Sequence, residues 1–479
     1  MDNHGFGFCT ENESRYFYND CSGCVIPHSN LNKQAQPEQT PTYSEAEDIS
    51  PEMKLDCSSV HDALIDRSQG FHQLVLVVTR DCNLRCKYCV YSEEKYENMP
   101  TLKGDYMTVD TAKKAIKKYF RGFRQVKQVN PSLSPTISFY GGEPLLNFEL
   151  IKEVVSFSNG KYSGNITFNI TTNGVLLSET IIDFFAKHNF FLSISLNGPQ
   201  SEHNRLRVFP TGKGTFGEIW ENLQMLREKH PTYDKRGCGI LACYDHGTDL
   251  EDLSLFFEEH KETLPPLLRL SPVSASFSNW YDRYSEHQKE KFSKQRENLK
   301  ETYFSELAGE SEVSILLDKM FGFSYKNILM RPQRIKHPHP LKYTATCIPG
   351  QKISVNPDGS FHACEKVNDQ FPIGNVEQGL NIAKVVDRLK TYKSNIFPEC
   401  SECSITRLCS VCMATFAGKD AYKRSPPDLC VKLKRDFKTK FEELWTKLEN
   451  GLDETRIIGV SGHSNQDIQC DRGVNEIIQ

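Results

Sequence analysis

The 479-residue sequence lacks three features that would each have narrowed its class. No stretch reaches the 18 or more apolar residues of a membrane-spanning helix. The amino terminus has no basic segment followed by an apolar run, as a secretory signal would have. There is no excess of one charge, since 58 basic and 62 acidic residues give a net charge of -4. We therefore expect a soluble, cytoplasmic protein of two to four domains, without a nucleic-acid or membrane partner.

Cysteine, in contrast, is plentiful: the chain has 17, and ten of them fall in two patterned groups. In a large chain without a secretion signal, such groups indicate metal ligands rather than disulfides. In the first group, Cys82, Cys86 and Cys89 follow a β-branched run with the spacing CxxxCxxC, and Tyr88 precedes the last of them. Three thiolates can hold three irons of a cubane cluster and leave the fourth iron open. For this triplet alone, a zinc loop or three buried cysteines is the alternative.

Strand and helix patterns alternate between residues 71 and about 273. Six β-then-α units imply parallel strands joined by helical crossovers, with the functional residues at the carboxyl ends of the strands. The number of β-then-α units alone suits either a partial barrel or a doubly wound sheet. The predicted strands are 73–79, 135–140, 166–171, 191–196, 237–243 and 266–272, and the clearest amphipathic helices are 108–121, 178–188 and 215–228.

The flanking segments are predicted from composition. Residues 1–70 are interpreted as an appendage, with a hairpin around Cys21 to Cys24, whose CxxC is taken as incidental, and a flexible linker over about 30–53. A charged pattern predicts one long exposed helix and a shorter one near 312–322. The expected domains are 1–70, 71–273, a helical bridge over 274–346, a cysteine-rich domain over 347–435, and a C-terminal helix with a disordered tail over 436–479.

The second cysteine group starts with a predicted hairpin whose turn is Asn356-Pro357-Asp358-Gly359. Two CxxC pairs and a last cysteine follow, which is a strong metal signal, with a zinc ribbon as the alternative. Because seven ligands do not divide into fours, one of two sites is short of a protein ligand. The members are Cys347, Cys364, Cys400, Cys403, Cys409, Cys412 and Cys430.

CxxxCxxC with an aromatic residue before its third cysteine, the sequence Gly141-Gly142-Glu143-Pro144 after the second strand, and the second cysteine group together resemble a known family. They are similar to the radical S-adenosylmethionine (SAM) enzymes that carry a SPASM domain. Within this family the chain looks like the peptide-modifying, thioether-forming maturases (sactipeptide and ranthipeptide type) and, more distantly, the anaerobic sulfatase-maturating enzymes. The resemblance implies an α/β fold, with a partial (β/α)6 barrel followed by a small SPASM domain.

The same resemblance implies roles for individual residues. SAM and three 4Fe-4S clusters are the implied cofactors, with a 5'-deoxyadenosyl radical made at the first cluster. A paired glycine would let backbone carbonyls approach SAM, and a neighbouring carboxylate suits its amine. An arginine fork suits its carboxylate, and Glu365 would act as general base. The SAM contacts would be Gly141, Gly142, Glu143 and Pro144 for the amine, Thr172, Asn173 and Ser195 for the ribose, and Arg207 for the carboxylate.

By resemblance, the two auxiliary clusters divide the second cysteine group. Cys347, Cys364 and Cys412 would serve one cluster, and Cys400, Cys403, Cys409 and Cys430 the other. The spacing departs from the family, which usually has three residues between its last two block cysteines, where this chain has only Ser410 and Val411. The implied substrate is a ribosomally made precursor peptide, and the implied redox partner is a one-electron donor such as flavodoxin or ferredoxin. A cysteine thioether is the expected product; formylglycine, epimerisation or a purely electron-carrying role are the alternatives.

Overall fold

The computed structural model describes residues 5–28, 54–91, 96, 104–309, 312–331, 333, 347–367, 369–400, 403–424 and 426–459. The linker expected near 30–53 and all of the tail beyond 459 lie outside these ranges. Within them, no helix combines the length and the apolar character that crossing a bilayer requires.

The chain begins with the strands β1 (Gly5–Cys9), β2 (Arg15–Asn19) and β3 (Cys24–Pro27), which form an antiparallel sheet. The hairpin predicted between residues 15 and 27 is therefore confirmed. The interpretation of this segment as an appendage is wrong, because Phe8 and Tyr18 are buried in the main core. Their rings lie 5.5 and 4.9 Å from the ring of Phe441 near the other end of the chain. The short helix α1 (Cys57–Leu64) follows.

Six parallel strands form the centre of the molecule, each within one residue or two of its predicted bounds. They are β4 (Gln73–Thr79), β5 (Thr136–Gly141), β6 (Thr167–Thr172), β7 (Phe190–Ser195), β8 (Cys238–Tyr244) and β9 (Leu267–Pro272). Each strand pairs with the next strand along the chain. A doubly wound sheet would reverse its strand order at a switch point, and this one does not. The predicted class, a singly wound (β/α)6 arrangement, is therefore confirmed.

Helices connect these strands and cover one face of the sheet. They are α2 (Val109–Val129), α3 (Phe148–Lys161), α4 (Glu179–Lys187), α5 (Gln200–Leu206), α6 (Phe216–Lys229), α7 (Pro231–Gly237) and α8 (Leu250–Glu259). Side chains alternate between the two faces of each strand. In β7, Leu192 and Ile194 are buried in the core, whereas Ser193 and Ser195 are half-buried on the opposite, inner face. The inner face is thus polar and open to a ligand.

After the barrel strands come α9 (Glu286–Ala308), α10 (Ile315–Leu317), a π-helical turn (Asp318–Gly322) and α11 (Phe323–Leu329). The two predicted helices are present, but the long one is not simply exposed. Its residues Phe292, Tyr303 and Leu307 are buried in the main core. Its high charge therefore marks only the outward face, while an apolar stripe anchors the helix.

The cysteine-rich segment continues the central sheet. It contains β10 (Lys352–Val355), β11 (Ser360–His362), β12 (Gly374–Asn375), β13 (Gly379–Leu380), α12 (Ile382–Ile396), α13 (Met413–Phe416), α14 (Leu429–Glu449) and α15 (Glu454–Gly459). Strand β10 pairs in parallel with β4, and β11 to β13 extend the sheet to ten strands. The predicted turn at 356–359 is present, with Gly359 at a φ of 84°. This segment is therefore fixed directly to the first barrel strand.

Candidate active site

The cysteine triplet lies in the loop that leaves the carboxyl end of β4. The amide of Leu84 donates to Cys82 Sγ over 3.4 Å, and Cys89 N donates to Cys86 O over 3.1 Å. The backbone N–H groups of Arg85 and Lys87 bond to the carbonyls of Val208 and Leu206, each over 2.8 Å. The loop is therefore held against the segment on both sides of Arg207.

Burial raises the pKa of the Cys82 thiol to about 12 and that of Cys89 to about 11. The sulfur of Cys86 adds to both shifts, which means that the three sulfurs are close enough to interact. A metal would ionise these thiols outright. The structure thus places three half-buried cysteines in one loop, and their role as cluster ligands stays a prediction.

Gly141 and Gly142 allow the end of β5 to approach this loop. A Cβ on Gly141 would lie 2.1 Å from Thr79 O, and one on Gly142 would lie 2.0 Å from Asp81 O. The amide of Gly142 donates to Thr79 O over 2.9 Å, and that of Glu143 donates to Asp81 O over 2.8 Å. The sequence suggested that these glycines let the backbone approach a ligand. In the structure they let the end of β5 approach the start of the cysteine loop.

The carboxylate of Glu143 is buried and already hydrogen-bonded. Its Oε1 accepts from Leu145 N over 3.0 Å and from Thr172 Oγ1 over 2.7 Å, while Oε2 accepts from Asn173 N over 2.7 Å. Burial raises the pKa of Glu143, and these hydrogen bonds oppose the shift. The carboxylate thus ties the end of β5 to the end of β6. The role of Glu143 as a contact of the SAM amine stays a prediction, with three protein donors already on its carboxylate.

The three predicted ribose contacts differ in whether their polar groups are already hydrogen-bonded within the protein. The hydroxyl of Thr172 donates to Glu143 and accepts from Gly174 N over 3.1 Å, so it is engaged within the protein. Asn173 donates from Nδ2 to Asn83 Oδ1 over 2.7 Å, inside the cysteine loop. Ser195 is half-buried at the end of β7, on the inner face. Asn173 and Ser195 are therefore better placed for a ligand than Thr172.

Arg207 supplies a buried positive charge next to the cysteine triplet. Its side chain donates from Nη1 to Tyr88 Oη over 2.7 Å, and among the described residues its buried Nε has no partner. Its charge acts on the thiol of Cys89 and on the carboxylate of Glu143. An unpaired donor on a buried guanidinium suits a ligand carboxylate, because the planar fork can donate two parallel hydrogen bonds. The residues here therefore fit SAM at this point.

Glu365 faces the same space from the cysteine-rich segment. Its charge raises the pKa values of Tyr91 and Tyr140, and the sulfur of Cys89 acts on both tyrosines in the same direction. Burial alone would raise the pKa of Glu365, but the charges of Lys352 and Lys366 hold that pKa below its usual value. Lys352 Nζ lies 3.4 Å from Glu365 Oε2. Glu365 is therefore an ionised carboxylate at neutral pH, as a proton acceptor must be.

The second cysteine group divides into two sets in space. Cys400, Cys403 and Cys430 all act on the thiol of Cys409, whose pKa burial raises to about 12. Cys412 acts instead on Cys364, whose pKa burial also raises to about 12. Cys347 is exposed at the start of its segment. These interactions group Cys364 with Cys412 and Cys409 with Cys400, Cys403 and Cys430; the assignment of Cys347 and of both clusters stays a prediction.

Hydrogen bonds from basic residues reach the set of four, which we call the distal set (Cys400, Cys403, Cys409 and Cys430). Arg424 Nε donates to Cys430 Sγ over 3.4 Å. In the described part of the chain, no three Cys, His, Asp or Glu side chains converge on one point as ligands of a single ion do. The thiolates of a cubane each bind a different iron and need not converge.

Sequence reasoning missed several residues around this space. Tyr91, Tyr140 and Cys243 were not predicted, although Tyr140 ends a strand directly before Gly141 and could have been found by its position. Burial raises the pKa of Cys243, which lies near Arg207, Tyr88 and Cys86. Lys352 was missed because it is the first residue of β10, at the amino end of the strand, whereas functional residues were expected at the carboxyl ends.

Comparison with known proteins identifies the central part of the chain. Residues 76–253 match the model of the Radical SAM superfamily. A cysteine-type anaerobic sulfatase-maturating enzyme of Clostridium novyi is 29% identical over 170 residues, which are 35% of this chain and 43% of that enzyme. An enzyme of the same description from Clostridium perfringens is 22% identical over 347 residues, 70% of this chain and 86% of its own length.

The chain therefore spans less than half the length of the Clostridium novyi relative. A solved structure described as native anSMEcpe with bound AdoMet superposes with a TM-score of 0.58 at 20% identity, covering 79% of this chain and 98% of that one. At this identity the superposition shows a shared fold.

Proposed function

Residues 76–253 of the chain are a radical SAM domain, and we propose that the protein is a radical SAM enzyme that oxidises one residue of a peptide. The observation that carries the proposal is the 2.7 Å hydrogen bond from Arg80, which directly precedes the cysteine loop, to Asp369, which follows Glu365 in the cysteine-rich segment. This bond joins the predicted SAM-cluster loop to the segment that carries the candidate base. An enzyme that makes a carbon radical and then removes a proton needs these groups on either side of its substrate.

Several of the predicted site residues have a part in this proposal. Cys82, Cys86 and Cys89 would hold a 4Fe-4S cluster, and the free Nε of Arg207 would take the SAM carboxylate. When bound, SAM supplies a carbon radical that removes a hydrogen atom from the substrate. Asn173 and Ser195 would position the nucleoside. The tyrosines Tyr91 and Tyr140 would separate the reacting carbon from bulk water.

Glu365 would accept the proton that leaves the peptide. For a thioether, a hydrogen atom is lost from carbon, the cysteine thiol gives its proton to Glu365, a carbon–sulfur bond forms, and one electron is left over. That electron needs an acceptor, which the cysteines of the second group would provide as auxiliary clusters. We propose the thioether as the product, in a ribosomally made peptide.

Formylglycine is the second candidate product, because the two curated relatives above are described as sulfatase-maturating enzymes. It uses the same hydrogen abstraction and the same base. The two products differ in mass and in reactivity: a thioether crosslink is two hydrogens lighter and has no aldehyde, whereas formylglycine reacts with a hydrazine probe.

The first experiment measures iron, sulfide and zinc after anaerobic reconstitution, in the native protein and in the Cys82→Ala, Cys86→Ala, Cys89→Ala variant. Three cubane clusters predict roughly twelve irons, falling to roughly eight in the variant. Cleavage of SAM to 5'-deoxyadenosine with dithionite is measured in parallel. Cluster assembly without any SAM cleavage in the native protein would indicate an electron carrier and refute the proposal. Zinc bound by the second cysteine group would show that the proposed auxiliary clusters are wrong.

A further inference from the structure

The first half of α14 carries a concentrated positive charge. Between residues 429 and 440 there are five basic residues and one acidic residue, a net charge of +4 in a chain whose net charge is -4. Lys432, Lys434, Arg435 and Lys438 are exposed, and Val431 beside them is 69% exposed. We call these five residues the basic face. This positive charge is local to the basic face, because the chain as a whole has a net charge of -4.

Most of this charge is not used inside the molecule. Lys432 forms an ion pair with Asp428 over 2.9 Å. Within the described part of the chain, Lys434, Arg435 and Lys438 form no ion pair. Helix α2 is also basic, and within the described residues only its Lys113 and Lys114 form ion pairs, so what distinguishes α14 is that its cations lie beside the distal set. A row of unpaired cations raises the energy of the isolated protein and favours an anionic partner.

The basic face adjoins the distal set. Cys430 lies in the first turn of α14, directly before Val431. The charge of Lys434 acts on the thiol of Cys403. Glu399, the residue before Cys400, has a side chain that is 71% exposed. The distal set is therefore close to the protein surface, and the basic face is the part of that surface that continues from Cys430 along α14.

We propose that the basic face is the docking surface of an acidic one-electron carrier protein, which exchanges electrons with the distal auxiliary cluster. The inference rests on the proposed function, because it needs that cluster. Each encounter moves one electron between the cluster and the carrier, and no bond is made or broken. Electron transfer weakens steeply with distance, so a docking surface has to lie beside a redox centre. An exposed valine within a ring of cations is typical of such a short-lived, electrostatically steered contact.

Charge reversal tests this surface. In the variant Arg435→Glu, Lys438→Glu two exposed cations of the basic face are reversed, and neither contacts a cysteine. The matched control, Arg121→Glu, Arg124→Glu, reverses two exposed arginines with the same spacing on α2. The measurement is the stopped-flow rate of cluster reduction by a reduced flavodoxin, at low and high ionic strength, on reconstituted protein.

We expect the rate constant of the α14 variant to fall at least about tenfold at low ionic strength, and to lose most of its salt dependence. The α2 control should react like the native protein. Reduction by dithionite should be equal in all three proteins, because a small reductant does not need the surface. An unchanged rate in the α14 variant, or an equal fall in the control, would overturn the inference.

Two further results separate this inference from the proposed function. If the α14 variant retains the native rate with flavodoxin but loses affinity for a single-stranded RNA, the face binds nucleic acid and the inference is wrong. If the native protein cleaves no SAM with dithionite, the proposed function fails, whatever the flavodoxin rates. Without iron in the distal set, measured as above, the docking proposal fails as well.

Discussion

Arg80 Nη2 donates a hydrogen bond to Asp369 Oδ1 over 2.7 Å, although the two residues are 289 positions apart. Arg80 directly precedes the loop of the cysteine triplet, and Asp369 follows Cys364 and Glu365. The same oxygen of Asp369 accepts from Asn356 Nδ2 over 2.8 Å. This pair therefore joins the two cysteine-bearing parts of the candidate site.

Replacing Asp369 by Ala should destabilise the protein, because it leaves the buried guanidinium of Arg80 without its carboxylate. We expect the free energy of unfolding to fall by about 1–3 kcal/mol, below the range for a fully buried pair since Asp369 is 37% exposed. Urea unfolding measures the change. The control Asp387→Ala removes an exposed partner of Arg388 and should change stability by less than about 0.5 kcal/mol. Equal effects at both sites would show that the Arg80 pair has no structural role.

Replacing Gly142 by Ala should displace the cysteine loop. The added Cβ would lie 2.0 Å from Asp81 O, and backbone on both sides has to shift. Overpacking of this kind costs about 1–3 kcal/mol. We expect a lower melting temperature and about four fewer irons after reconstitution, the content of one cubane cluster.

Gly160→Ala is the matched control, because its Cβ would meet nothing within 4 Å on helix α3. It should leave the iron content unchanged and raise stability by about 0.5–1 kcal/mol, since Ala favours helix over Gly. Full iron loading of Gly142→Ala would contradict the role given to the glycine pair.

Arg207→Lys should weaken SAM binding while the fold is retained. A lysine keeps the charge but loses the fork, and with it the unpaired Nε. Loss of a charge-assisted hydrogen bond corresponds to about a tenfold to hundredfold rise in Kd. Isothermal titration of SAM into the reconstituted protein measures it. The exposed Arg236→Lys is the control, and a native Kd in Arg207→Lys would remove this residue from the site.

Arg424→Gln should lower the reduction potential of the distal cluster. The guanidinium donates to Cys430 Sγ over 3.4 Å and also acts on Cys400. Hydrogen bonds to cluster sulfurs and nearby positive charge stabilise the reduced state. A redox titration followed by electron paramagnetic resonance measures the potential, with exposed Lys419→Gln as control. A potential that stays the same in Arg424→Gln would show that the contact does not tune the cluster.

Local patterns were enough to predict the six barrel strands, because each is a short apolar run bounded by turn residues. They were also enough for the turn at Gly359, since its positive φ suits glycine. Contacts between distant segments were not predictable. The turn containing Cys21 is an example: Asp20 accepts from Arg407 N over 3.1 Å, and Arg407 donates to Cys21 O over 2.6 Å.

That turn therefore lies on the loop between Cys403 and Cys409, although 386 residues separate Asp20 from Thr406. No periodicity or spacing encodes such a pairing, because it depends on how α14 packs against the N-terminal strands. The same limit applied to Glu143. Its type and position were recognised, but its use as a link between two strand ends depends on backbone groups of β6 that a motif does not specify.

The ion pair of Lys352 and Glu365 should make stability depend on pH. The pKa of Glu365 is below its usual value, because the two lysines outweigh burial. A carboxylate with a lowered folded-state pKa adds stability above its unfolded pKa, and that stability is lost as the pH falls through the folded-state pKa. In Lys352→Met burial is opposed only by the charge of Lys366 and a backbone hydrogen bond, so the pKa of Glu365 rises.

We therefore expect Lys352→Met to be less stable than the native protein by about 1–2 kcal/mol at pH 7, where Glu365 must stay charged or take up a proton. The difference should shrink toward pH 4, where the carboxyl is increasingly protonated in both the folded variant and the unfolded chain. Urea unfolding across this pH range measures it. The double variant Lys352→Met, Glu365→Gln removes the titrating group and should lose the pH dependence of the difference. A difference that is constant from pH 4 to pH 7 would mean that Lys352 acts by packing alone, and Glu365 would then lack the charged environment on which its role as proton acceptor depends.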